Sequence, residues 1–261
     1  RVPVMLGYNA EEGTTLGALR MMPKNVHDYE ASLQRRFGRE VKEVLRLYPS
    51  DDIRKSVLAL SSDAGFGWNM HYWAEKSVLH GAATFMYYFT HQPLGQELGA
   101  FHAAEIVYVF NNASHASGFD SEPSVQLANA MADYWVRFAT FGNPNGAEIG
   151  AWPNYSINAK EYREFDTAGG RSARGLMLDS YPVFERLYRQ ERKRKNDVFV
   201  PFYWLKENGH THRHSLAPFP RSPSVWCTRS LFQNPKYRAR YPCQPPTLRQ
   251  LRNRKHITLC P

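Results

Sequence analysis

Apolar positions along the chain follow two rhythms. The stretch "VPVML", residues 2–6, is a short apolar run closed by Gly7, as in a strand buried on both faces. Between residues 26 and 60 the spacing lengthens. There "VHDYEASLQRRFG" and "VKEVLRLYP" set apolar residues three and four apart, with Gly38 and Pro49 as punctuation, and read as helices. "AGFGWNMHYWAEKSVLHG" continues as helix, with Trp68, Tyr72 and Trp73 expected in the core. "ATFMYYFTHQP" returns to β-branched and aromatic residues and predicts a second buried strand over residues 84–90. The strongest helical signal covers residues 126–141. Pro123 stands near its start, Leu127, Met131, Tyr134, Trp135 and Phe138 form a stripe, and Gly142 closes it. "EYREFDT" reads as an edge strand and "YPVFERLYRQERKRKN" as a last amphipathic helix, with no internal repeat.

Strands alternating with helical stretches predict an α/β protein with a largely parallel sheet. In such sheets ligands meet the chain in loops beyond the carboxyl ends of the strands. "GYNAEEG", which brackets Glu11 and Glu12 between glycines, leaves the first strand at such a place.

Charge divides the chain. The formal net charge is +9. Residues 1–188 hold 17 Lys+Arg against 21 Asp+Glu, whereas residues 189–261 hold 16 against 3. The basicity belongs to the tail and implies no specific nucleic-acid partner for the body. All three cysteines (Cys227, Cys243, Cys260) and nine of the 17 prolines also lie in that tail. The body therefore has neither a disulfide nor a thiolate metal site. No apolar run is long enough to span a bilayer, and the sequence gives no localisation.

Three features now line up: a strand emptying into "GYNAEEGTT", then "LGAFHAAEIVYVFN", then a helix ending "FATFGNPNG" with "WPNY" behind it. In these the sequence resembles the type-B carboxylesterase (cholinesterase-like) family of the α/β-hydrolases. That family carries a strand followed by G-x-N-x-D/E-E-G, a histidine in G-x-x-H-x-x-E-x-x-x-x-F, and a late helix ending T-G-N-P-N. Matched residue by residue, the resemblance implies that Glu12 is the acid and His102 the base of a Ser-Glu-His triad. It implies a small carboxylic-ester substrate, with no cofactor and no metal. Glu105 and Asp63 are expected to be structural. Glu11 is expected to stay solvated or to cap a helix starting near Thr14.

The nucleophile is the gap. The family's serine sits in G-x-S-x-G on a strand-to-helix turn, and no serine here has that context; Ser117, in "HASGFD", lacks the preceding glycine. Both that motif and the glycine-rich oxyanion loop belong to the family's N-terminal half, which would precede Arg1. The fold class expected is thus the C-terminal part of an α/β-hydrolase over residues 1–190: an incomplete, mostly parallel sheet covered by helices. Residues 191–261 read as a basic, Pro-rich, disordered extension, in which "HTHRH" is too sparse for a metal tract. A serine ester hydrolase present in part is the favoured function. The alternative is a cholinesterase-like recognition module without catalysis.

Overall fold

The computed structural model describes residues 1–194 apart from Gln96 and Glu148. The extension, with its cysteines and "HTHRH", lies almost wholly outside the described residues.

β1 (Val4–Asn9) runs three residues beyond the apolar run that predicts it. Three helices follow: α1 (Val26–Phe37), α2 (Val41–Leu47) and α3 (Ile53–Ser62). Their boundaries are chemical. Asn25 accepts the Asp28 N–H at 2.9 Å and Asp52 accepts the Lys55 N–H at 3.0 Å, each satisfying an orphan donor of a first turn. Gly38, at a positive φ of 51° that suits glycine, closes α1, its N–H donating to the Gln34 carbonyl. A single π-helical turn, Asp63–Gly67, joins α3 to α4 (Trp68–Leu79). β2 (Thr84–Phe89), α5 (Glu105–Val109) and α6 (Glu122–Phe141) come next. Pro123 opens α6 and Gly142, at φ 68°, ends it, as the sequence predicts. β3 (Tyr162–Phe165), β4 (Arg171–Ala173) and α7 (Tyr181–Arg194) complete the described chain.

The strands form one four-stranded sheet in the order β1-β2-β3-β4. β1–β2 and β2–β3 are parallel, and β3–β4 is antiparallel. "EYREFDT" is therefore not an edge: β3 is an inner strand, and the edge beside it is β4, too short and too polar to show a period in sequence. The sheet carries helices on both faces. Phe85 and Phe89 of β2 pack with Tyr108, Leu127, Met131, Tyr134, Trp152 and Phe165. On the other face Tyr8 joins Leu33, Phe37, Val44, Trp68 and Phe184. The alternation along β2 follows from the two-residue period of a strand. Trp152 is pinned in this core by its indole N–H, which donates to the Met86 carbonyl at 2.9 Å. Of the aromatic trio expected in the core, Trp68 is buried but Trp73 is 57% exposed. It occupies the outer face of α4, and its size in the sequence says nothing of facing.

The π-turn opens on a largely buried carboxylate. Asp63 accepts the Tyr48 hydroxyl at 2.6 Å, with Ser180 and Tyr8 beside it. Burial pushes its pKa up to about 6 despite those hydroxyls.

Candidate active site

The site begins where β1 ends. Beyond Asn9 the backbone keeps pairing for two residues but changes partner. Ala10 N–H donates to the Phe89 carbonyl at 2.9 Å, and Glu11 N–H to the Ala100 carbonyl at 3.0 Å. Glu11 and Phe101 form an isolated parallel bridge. The loop after β1 is thus held against residues 99–104, which contain His102. Glu12 then starts a short 3-10 turn, Glu12–Thr14, and is itself buried.

Glu12 and His102 meet here. Glu12 Oε2 lies 2.6 Å from His102 Nδ1, and Glu12 Oε1 accepts the Asn9 backbone N–H at 2.8 Å. An ionised carboxylate only accepts hydrogen bonds, so Nδ1 is the donor in this contact, and in the neutral imidazole the lone pair is then on Nε2. The two side chains differ in exposure: 5% for Glu12 and 42% for His102. Burial pushes the Glu12 carboxyl pKa up, opposed by the Asn9 N–H and by His102, while the nearby Glu105 adds to the rise. The Phe66 ring stands 5.3 Å from the imidazole, centre to centre. Ala103, next to His102, adopts φ 70°, a conformation that L-residues rarely take.

Two residues of the site escape sequence reasoning. Asn9 is the hub of the junction: its Nδ2 donates to the Phe101 carbonyl at 2.8 Å and to Glu105 Oε2 at 2.6 Å. It stands in the "GYNAEEG" motif, yet nothing in residue type alone gives it a partner more than 90 positions away. Glu11 is the other. It is half-buried and stands at the N-cap position of the turn, but its side chain makes no capping bond: its Oε2 accepts the Ala100 N–H at 2.7 Å instead. The backbone pairing of Glu11 aims its side chain at the neighbouring loop instead of at the helical turn. Ser117 is exposed, outside this junction. Among the described residues no three His, Cys, Asp or Glu side chains converge as a metal site, and no helix is long and apolar enough to cross a membrane.

A mixed sheet with helices on both faces, and a glutamate–histidine contact beyond the carboxyl end of a strand, are consistent with part of an α/β-hydrolase fold. The Carboxylesterase family model matches residues 1–181, and the chain belongs to that family. Among curated proteins it is similar to acetylcholinesterase 1 of Caenorhabditis elegans, 24% identical over 69% of this chain and 29% of that protein. It is also similar to carboxylesterase 4A of Bos taurus, 31% identical over 44% of this chain and 21% of that protein. With carboxylesterase 5A of Homo sapiens the identity is 31%, over 44% of this chain and 22% of that protein. The chain thus spans less than a third of the length of these relatives.

Proposed function

We propose that this chain supplies the acid and the base of a serine carboxylic-ester hydrolase, Glu12 and His102. The single observation behind the reading is the 2.6 Å contact between Glu12 Oε2 and His102 Nδ1, with Nε2 left free on a half-exposed ring. In this role the neutral imidazole accepts the nucleophile's proton at Nε2 and later returns it to the leaving group. Glu12 holds the tautomer and offsets the imidazolium that forms. Burial suits the carboxylate to this task. Its charge is poorly solvated, so a cation forming 2.6 Å away is strongly favoured.

The nucleophile and the oxyanion donors come, in this reading, from sequence beyond this chain, since no G-x-S-x-G stands among its 261 residues. Each oxyanion donor is worth about 2.7–4 kcal/mol of transition-state stabilisation. The chain alone should therefore hydrolyse a short aryl ester no faster than buffer does. The test is the complete protein assayed on that ester with Glu12→Gln. A fall in kcat of orders of magnitude with KM little changed supports the assignment, and an unchanged kcat rejects it. Retention of both the acid and the base, in contact, favours hydrolysis over the non-catalytic recognition module.

A further inference from the structure

The hydrolase reading gives Glu11, a charged side chain of the junction, no task. Glu11 neighbours Glu12 in sequence but reaches a different partner. Its backbone N–H donates to the Ala100 carbonyl and its Oε2 accepts the Ala100 N–H at 2.7 Å, so one residue holds both polar groups of Ala100. Ala100 is fully buried and stands two positions before His102. No water competes for those groups, and the bond to an ionised oxygen is of the stronger, charge-assisted kind.

Gly99 makes room for the contact. It adopts φ 62°, and a Cβ there would overlap Glu11 Oε2. Absence of a side chain therefore serves both the backbone conformation and the approach of the carboxylate. On the far side of His102, Ala103 is held at φ 70° without being glycine. Such a conformation persists only where the surroundings over-determine it. His102 thus stands between a gripped residue and a strained one.

We propose that Glu11 is a positioning residue, whose carboxylate grips Ala100 and so fixes the loop that sets His102 against Glu12. The proposal deepens the hydrolase reading and rests on the Glu12–His102 pair having the role given above. It assigns the two adjacent glutamates separate tasks, one bonding the imidazole and the other holding the loop beneath it.

The test uses nuclear magnetic resonance on the 261-residue chain, reading hydrogen exchange at the Ala100 amide and the far-downfield His102 Nδ1–H signal. In Glu11→Ala, Ala100 exchange should accelerate about ten-fold or more, as for a buried amide that loses its acceptor. The Nδ1–H signal should weaken or vanish in the same variant. Glu11→Gln, which keeps an acceptor oxygen, should restore most of both. Glu12→Gln should alter the ring signal while Ala100 stays slow to exchange, separating the two tasks. A folded Glu11→Ala chain with its Nδ1–H signal unmoved overturns the proposal, whether or not Ala100 exchanges faster. Should Glu11→Ala fail to fold, Glu11→Asp, one methylene too short, is read in the same way: an unmoved ring signal overturns the proposal. Failure of the hydrolase reading would appear elsewhere, as an unchanged kcat for Glu12→Gln in the complete protein.

Discussion

Glu12 Oε2 and His102 Nδ1 stand 2.6 Å apart although 90 positions separate them in the chain. Local structure cannot create that proximity. It depends on β1 and β2 lying side by side, so that the loops leaving their carboxyl ends emerge together.

In the complete protein, Glu12→Gln should lower kcat on a short aryl ester by about 10⁴, as the acid-to-amide change does in a serine protease triad. His102→Ala should do at least as much damage. Combining the two should add little, because residues that act as one unit are not additive. Steady-state kinetics of the three variants decide this, and fully additive losses would contradict the pair.

Asp63 and His71 should pull stability in opposite directions with pH. The Asp63 pKa is raised from 3.8 to about 6 by burial, so between those values the folded chain holds the extra proton. Its contribution is present at low pH and is lost as pH rises, by roughly 3 kcal/mol in all. Burial and Lys160 lower the His71 pKa from 6.5 to about 3, so there the unfolded chain holds the extra proton and stability rises with pH. Asp63→Asn should therefore lose stability more steeply than the parent on acidification from about pH 6 to about pH 4. Urea melts at several pH values provide the comparison. Parallel curves would show that Asp63 titrates normally.

Lys160, which is buried, and Glu75, which is partly so, form an ion pair at 2.8 Å, and the Tyr181 hydroxyl donates to the second Glu75 oxygen at 2.9 Å. Lys160→Met should cost about 3–5 kcal/mol, because it strands a largely buried carboxylate. Adding Glu75→Gln should recover part of that loss, since a neutral amide tolerates the site better. A double variant less stable than Lys160→Met would mean that the carboxylate was never stranded.

Asn145 brackets the backbone of Trp152: its Oδ1 accepts the Trp152 N–H at 2.6 Å and its Nδ2 donates to the Trp152 carbonyl at 3.0 Å. Truncating the buried indole, Trp152→Ala, should cost about 3–5 kcal/mol. Asn145→Ala should cost about 1–3 kcal/mol, chiefly through the unpaired groups it leaves. Equal losses would argue that the indole contributes no more than the turn that carries it.

Much of this fold is written locally. Pro123 and Gly142 bracket α6, and the aromatic run of β2 has no competing helical spacing. What escapes the sequence depends on partners far along the chain. β4 has three residues, two of them exposed, and exists because β3 offers it an edge. The π-turn at Asp63–Gly67 keeps a helical apolar spacing while burying an acid. That Glu12 and His102 belong together is legible through motif likeness alone. The duties of Asn9 and Glu11 become visible only once β1 and the histidine loop lie together.

That adjacency sets a timetable for the chain. Val4 pairs with Thr84 and Tyr87 with Arg163, so neither parallel pairing of the sheet can form until some eighty further residues exist. At a synthesis rate of about 5–20 residues per second, β1 waits roughly 4–16 s for its partner strand. Loop closure over such spans is slow even in a finished chain. The apolar strand "VMLGYN" thus needs shelter while it waits, and Glu12 and His102 cannot meet until the 90 residues between them have been made.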